Sequence, residues 1–184
     1  MLNALTIDVE DYFHVTAFER YIKHEEWESF PVRVVDNTLK ILDMLDEFSV
    51  KGTFFVLGWV AERNRMLIKE IQKRGHEIAS HGYRHKLIYR IGYRDFRNDV
   101  KNARILLEDI CGTKISGFRA PSYSITKDSM WAFDVLIEEG FTYDSSIFPV
   151  IHDIYGIPAA KRFPHEIKRL SGTIKEFPLS TMEI

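Results

Sequence analysis

Three acidic residues near the start of the chain are the first that could do chemistry. Asp8, Glu10 and Asp11 occupy three of four consecutive positions, where a short apolar segment ends. Oxygen ligands grouped in this way are suited to bind a cation. The alternative is that they cap a following turn or pair with Arg and Lys side chains. The spacing alone leaves both interpretations open.

Two histidines have a spacing that is typical of metal ligands. His81 and His85 lie in the segment SHGYRH at positions 80–85, so that both imidazoles can reach one ion from a single turn. Zinc favours such a pair together with a carboxylate. The chain has 7 histidines, however, and the spacing could also arise by chance.

Polar groups follow two later apolar segments. Arg119 lies in the segment GFRAPSY at positions 117–123, where its guanidinium could hold a carboxylate in a fixed bidentate geometry. The segment YDSS at positions 143–146 adds an aspartate and two serines. The alternatives are an exposed arginine in the first segment and an Asx turn in the second.

Apolar periodicity indicates which elements position these residues. It predicts strands at residues 4–9, 53–57, 77–80, 114–118, 141–143 and 173–179, and helices at residues 34–48, 61–74, 95–110 and 126–140. This alternation predicts parallel strands with crossover helices, hence an α/β barrel or an open sheet. Because the carboxyl ends of such strands share one edge, the polar groups are expected to meet there.

Composition limits the class of protein. The 25 basic and 27 acidic residues are interspersed and give a net charge of −2, so we expect no nucleic-acid partner. No apolar run approaches the roughly 20 residues that a spanning helix needs, so no membrane insertion is expected. The start of the chain lacks a signal-peptide pattern, which predicts a cytoplasmic protein. Residues 1–184 are interpreted as a single domain.

Two further features of the sequence bear on a site. Cys111 is the only cysteine, so a metal would have to be held by His and carboxylate groups. Residues 148–169 contain three prolines and little periodicity, which favours a long functional loop.

The order of several short motifs resembles that of polysaccharide deacetylases of the NodB-homology type. TIDVED at positions 6–11 resembles their first motif, T-F-D-D; SHGYRH at 80–85 resembles the second, H-[ST]-x-x-H; and RAP at 119–121 resembles the third, R-x-P. GTFFVLG at 52–58 and YDSS at 143–146 also resemble regions of these enzymes. The resemblance implies a deformed (β/α) barrel. DVEDYF at 8–13 and FRAPSYS at 118–124 further resemble the subgroup found with bacterial exopolysaccharide export.

Two positions depart from the family pattern. The second aspartate of motif one, a metal ligand in the family, aligns with Val9. Because side chains alternate along a strand, Glu10 projects on the same side as Asp8 and is the expected replacement, with Asp11 as the second choice. The family also ends on a motif whose histidine is a general acid. No histidine follows Leu170, so the chain is expected to lack the last strands of the barrel.

The resemblance implies a mechanism for removing acetyl groups from N-acetylated oligo- or polysaccharides. Glu10, His81 and His85 would hold a divalent metal, most readily zinc, with cobalt, nickel or manganese as alternatives. The metal would lower the pKa of a bound water from about 16 towards 7–9. Asp8 would be the catalytic base and Arg119 would orient it.

The same resemblance places an oxyanion site after Pro121, and it leaves alternative functions open. A backbone N–H of Ser122 or Tyr123 would stabilise the oxyanion. A related hydrolase of small-molecule amides is one alternative, because motif one is altered at Val9. A catalytically inactive carbohydrate-binding module is the other, because the terminal histidine is missing.

Overall fold

A computed structural model describes residues 3–182, which form a seven-stranded sheet with α-helices connecting its first five strands. The strands are β1 (Thr6–Val9), β2 (Thr53–Val56), β3 (Glu77–Ser80), β4 (Gly117–Phe118), β5 (Tyr143–Asp144), β6 (His165–Arg169) and β7 (Gly172–Glu176). The α-helices are α1 (Val34–Glu47), α2 (Gly58–Arg63), α3 (Arg65–Lys73), α4 (Ile88–Cys111) and α5 (Ala132–Glu138).

The sheet is parallel except at one edge, which confirms the predicted α/β class. Its strand order is β1-β2-β3-β4-β5-β7-β6. The neighbours from β1 to β5 and the pair β5 and β7 are parallel, whereas β6 and β7 are antiparallel. The arrangement is that of a deformed barrel. The carboxyl ends of five consecutive strands therefore lie along one edge, as the sequence predicted.

Three helices differ from their predicted bounds. The helix predicted at residues 126–140 is shorter, because residues 127–129 form a separate 3-10 turn and α5 begins at Ala132. The prediction of a single helix at residues 61–74 is wrong, because Asn64 (φ −131°, ψ 48°) separates α2 from α3. Helix α4 begins well before the predicted residue 95 and contains a kink at Gly92, where φ is 75° and ψ is 174°. Residues other than glycine rarely adopt that backbone conformation, so the glycine permits a helical turn on each side of the kink.

The segment predicted as a long loop, residues 148–169, is only partly one. Its last five residues form β6, which pairs with β7 as a hairpin. His165 begins this strand, and its Nδ1 atom lies 2.9 Å from the carbonyl oxygen of Phe163. His165 therefore belongs to the sheet edge and not to a mobile loop.

The core lies between the sheet and its helices. Apolar side chains on one face of each helix are fully buried there, among them Leu42, Ile68, Leu107 and Leu136. Each such side chain stabilises the fold by about 1.5–3 kcal/mol relative to its exposed form. Within residues 3–182, none of the helices combines the length and the apolar character needed to cross a bilayer.

Candidate metal centre

Glu10, His81 and His85 converge at the carboxyl edge of the sheet. His85 Nε2 lies 2.9 Å and His81 Nε2 lies 3.9 Å from the same oxygen, Glu10 Oε2. One potential ligand atom from each residue falls within 4.8 Å of the others. The structure thus brings together the three residues that the sequence predicted as ligands, although their loops follow β1 and β3.

The donor set fits a divalent cation. Glu10 Oε2 is buried and accepts no hydrogen bond from the described residues, which is costly for a carboxylate unless a positive charge lies beside it. Burial raises the pKa of Glu10, but the adjacent His85 and His81 more than offset this and lower it to about 2. Burial lowers the pKa of His81, and the neutral imidazole is the form that binds metals.

Backbone contacts orient His81. Its N–H donates to the Val56 carbonyl (2.9 Å), which extends the β2–β3 pairing by one residue. Its ring Nδ1 lies 2.9 Å from the carbonyl oxygen of Arg119. A carbonyl only accepts, so Nδ1 carries the proton and the lone pair of Nε2 faces Glu10.

Asp99 of α4 supports the turn that carries His85. Its carboxylate accepts the N–H of Tyr83 (2.7 Å) and of Arg84 (3.1 Å). Gly82 precedes them with φ +71°, and a Cβ there would lie 2.8 Å from Asp99 Oδ2. His85 itself has φ 50°. Residues other than glycine rarely adopt this backbone conformation, and this turn imposes it.

Asp8 and Arg119, the predicted catalytic pair, are in direct contact. Arg119 Nη1 donates to Asp8 Oδ1 at 2.8 Å. The same guanidinium donates through Nε to the carbonyl of Ser145 (3.0 Å) and through Nη2 to the Ser145 hydroxyl (2.9 Å). It also lies 4.1 Å above the ring centroid of Phe55. Arg119 is buried, and its partners fix it in one orientation.

Asp11, the second choice as a ligand, has a structural role. Its Oδ2 accepts the N–H of Arg33 (2.6 Å) and of Val34 (2.9 Å) at the start of α1. Its Oδ1 accepts the N–H of Tyr12 at 3.1 Å. Backbone N–H groups satisfy this buried carboxylate. Asp11 therefore does not belong to the group of candidate ligands formed by Glu10, His81 and His85.

The segment after Pro121 leaves one of the two proposed oxyanion donors free. The Tyr123 N–H donates to the Ala120 carbonyl at 2.9 Å, so the Tyr123 alternative is not supported. The Ser122 N–H makes no hydrogen bond within residues 3–182. Ser122 has φ 49°, and its hydroxyl lies 2.8 Å from that of Thr16.

A buried histidine beside the cluster was not predicted. His14 packs between Trp27 and Trp59, with ring centroids 4.4 and 4.9 Å away. Its Nδ1 accepts the N–H of Asp11 at 2.7 Å, and burial lowers its pKa to about 3. The sequence showed only a histidine in an aromatic segment, and no spacing linked it to His81 or His85.

A pair of buried carboxyl groups was also missed. Asp144 and Glu176 occupy paired register positions on β5 and β7. Asp144 accepts the N–H and hydroxyl of Ser146 (2.8 and 2.7 Å), and Glu176 accepts the N–H of Ile147 (3.1 Å). Burial raises the pKa of both groups. The two carboxyl groups thus bind Ser146 and Ile147, the residues that follow Ser145.

Comparison with protein families gives two matches along the chain. Residues 27–136 match the family described as polysaccharide deacetylase. Residues 145–184 match a domain of unknown function, DUF3473. The first match contains both histidines of the cluster and Arg119.

Individual relatives agree with the first match. A peptidoglycan-N-acetylglucosamine deacetylase of Bacillus cereus is 33% identical over 96 residues, 52% of this chain and 35% of that protein. A chitooligosaccharide deacetylase of Sinorhizobium fredii is 35% identical over 100 residues, 54% of this chain and 44% of the relative. The chain thus spans less than half the length of either relative.

A solved structure extends the similarity over almost all of the fold. A Mycobacterium smegmatis protein assigned as a polysaccharide deacetylase superposes with a TM-score of 0.71 at 29% identity. The superposition covers 96% of this chain and 58% of that one. The shared fold includes the sheet edge on which the candidate metal centre lies.

Proposed function

This chain belongs to the polysaccharide deacetylase family, and from that premise we propose that it is a metal-dependent hydrolase acting on the N-acetyl groups of amino sugars. The observation that carries the proposal is the convergence of Glu10, His81 and His85 next to the ion pair of Asp8 and Arg119. This arrangement provides both a cation site and a base beside it. We propose zinc as the metal, because two imidazoles and one carboxylate are a common zinc-binding set.

The reaction requires that water attack an amide carbonyl, whose oxygen then becomes negatively charged. A bound divalent metal would supply acidity to the water and polarise the acetyl oxygen. Asp8 takes the proton from the water as general base. Arg119 keeps Asp8 ionised and oriented through their contact at 2.8 Å. The free N–H of Ser122 donates a hydrogen bond to the oxyanion.

The substrate class follows from what the relatives have in common. Peptidoglycan and chitooligosaccharides, which the two named deacetylases act on, both contain N-acetylated amino sugars. We therefore propose an N-acetylated oligo- or polysaccharide as substrate, and bacterial exopolysaccharide as the source, on the motifs at positions 8–13 and 118–124. We also propose that residues 1–184 form one catalytic domain, because β1 to β7 share a single sheet.

One observation favours a second candidate function. Val9, at the position of the family's second aspartate, is 1% exposed and packs in the hydrophobic core. The altered ligand set is compatible with a hydrolase for small-molecule amides. Release of amine from simple N-acyl compounds, without release of acetate from sugar oligomers, would favour this alternative.

Metal content and affinity test the proposal directly. The purified chain would be analysed by elemental analysis and zinc titration calorimetry, beside a His81→Ala, His85→Ala variant and a His165→Ala control on β6. We expect one equivalent of zinc in the parent and the control, and none in the double variant. Acetate release from N-acetylglucosamine oligomers should follow zinc content and stop with a chelator. A parent chain that binds no divalent ion would refute the metallohydrolase.

A further inference from the structure

Three histidines line one small cavity, and each has a ring nitrogen with no hydrogen-bond partner among the described residues. These nitrogens are His14 Nε2, His24 Nε2 and His85 Nδ1, and each is buried. The cavity has a volume of about 20 Å³ and is lined by these three histidines together with other residues that include Phe13, Trp27 and Arg84. We call it the histidine cavity. Buried polar atoms are nearly always paired, so three such atoms on residues around a single cavity favour a small polar occupant.

The proton positions on two of these rings can be deduced from their other contacts. His14 Nδ1 accepts the N–H of Asp11 at 2.7 Å, so the proton of this ring is on Nε2. His85 Nε2 faces Glu10 at 2.9 Å. When His85 serves as a metal ligand through Nε2, as the proposed function requires, its proton is on Nδ1. Two N–H donors on rings that line the histidine cavity are therefore without an acceptor among residues 3–182.

We propose that the histidine cavity binds one ordered water molecule, which links His14 to His85 and fixes the ring of that metal ligand. The oxygen accepts hydrogen bonds from His14 Nε2–H and from His85 Nδ1–H, and one of its hydrogens is donated to His24 Nε2. The volume is sufficient, because a single water needs about 10–15 Å³ and two to four polar partners. The inference rests on the proposed function for the role of His85.

This contact makes His14 a positioning residue for the metal centre. The Nδ1 atom of His81 has a direct partner in the carbonyl of Arg119, whereas the Nδ1 atom of His85 has none among the described residues. Partners of ligating histidines orient the ring, and their loss typically weakens metal binding about 10–100-fold. The water gives His85 the support that the Arg119 carbonyl gives His81.

Two substitutions at His14 separate this role from a purely structural one. Asn places an acceptor near the position of Nδ1, so His14→Asn keeps the bond to the Asp11 N–H but loses the donor into the cavity. Gln places a donor near the position of Nε2, so His14→Gln keeps that donor but loses the bond to Asp11. We expect zinc affinity about 10–100-fold lower in H14N and close to that of the parent in H14Q. The melting temperature should show the opposite order, with H14Q the less stable.

Zinc titration calorimetry and thermal unfolding of the full chain would provide both measurements. Zinc affinity that follows the order of stability, or an H14N variant that binds zinc like the parent, would overturn the proposal. A crystal structure of the metal-free chain tests the water separately from the proposed function. Density for a water about 2.7–3.2 Å from both His14 Nε2 and His85 Nδ1 is the expected result. Absence of that density at high resolution would refute the bound water even if zinc binds.

Discussion

Arg119 and Asp8 form an ion pair 2.8 Å long in which the arginine side chain is 4% exposed and the aspartate side chain 22%. The arginine is thus enclosed by protein, while the carboxylate remains accessible from the carboxyl edge of the sheet. Because Ser145 occupies two of the remaining donors of the guanidinium, the pair has little freedom to rotate. A carboxylate held in one orientation and open to solvent on one side is suited to accept a proton from a water molecule.

Replacement of Arg119 by lysine should therefore impair catalysis although the charge is kept. Lysine has no planar fork, so it cannot contact Asp8 and both groups of Ser145 together. We expect kcat to fall about 100-fold, the loss typical of a misplaced catalytic group. Acetate release from N-acetylglucosamine oligomers would be measured beside Arg65→Lys, whose arginine pairs with Asp109 at the surface. Equal activity of the two variants would contradict the assigned role.

Paired isosteric substitutions at Glu10 and Asp11 should separate metal binding from stability. Glu10→Gln removes the negative charge that faces the two histidines, so zinc affinity should fall at least about 100-fold with little change in melting temperature. Asp11→Asn removes one of the acceptors at the start of α1, so stability should fall by about 1 kcal/mol while zinc affinity is retained. Calorimetry and thermal unfolding provide the two measurements. The reverse pattern would make Asp11 the ligand.

The sequence predicted the parallel sheet and much of its functional edge because both depend on local signals. Apolar runs bounded by Gly52 and Gly75 mark β2 and β3, and both strands lie within or at the predicted bounds. The polar residues after the strands were identified by type and spacing, and topology then brought them together. Parallel pairing is what converts a linear order of motifs into one site.

Features that depend on tertiary contacts could not be predicted in this way. The break at Asn64 leaves the apolar periodicity of residues 61–74 unchanged, so one helix was predicted where there are two. Whether Glu10 or Asp11 faces the histidines is decided by the N–H groups of α1, 22 residues away along the chain. The placement of Glu176 opposite Asp144 requires that β7 pair with β5. No short segment of the sequence encodes that register.

Gly117 is required by the ring of Tyr143 on the neighbouring strand. A Cβ at position 117 would lie 2.0 Å from Tyr143 Cζ, and the hydroxyl of that tyrosine is anchored to Glu77 at 2.9 Å. Gly117→Ala should therefore destabilise the fold by about 1–3 kcal/mol, the usual cost of overpacking. Urea unfolding of Gly117→Ala, Tyr143→Ala and the double variant measures the coupling. Additive losses would show that the two positions do not interact.

The buried carboxyl groups of Asp144 and Glu176 should make stability depend on pH. Burial raises the pKa of Asp144 above its ordinary value of 3.8, and burial together with the charge of Asp144 raises that of Glu176 well above 4.5. The folded chain therefore binds protons more tightly here than the unfolded chain does. The resulting stabilisation is complete when the pH is below the pKa values that the two groups have in the unfolded chain. It is lost as the pH rises through their higher pKa values in the folded state.

Glu176→Gln should remove most of this pH dependence, because glutamine resembles the protonated acid and has no proton to lose. In the parent chain, the free energy of unfolding should fall as pH rises above about 4.5, by up to about 1.4 kcal/mol per pH unit for each proton bound only in the folded state. Urea unfolding between pH 4.5 and pH 8 would measure the slope, with Glu62→Gln as a control at a half-exposed side chain. The control should keep the slope of the parent and Glu176→Gln should flatten it. Equal slopes in all three chains would show that Glu176 is ionised in the folded protein. A cationic group, and not a proton, would then have to stabilise the two buried carboxylates.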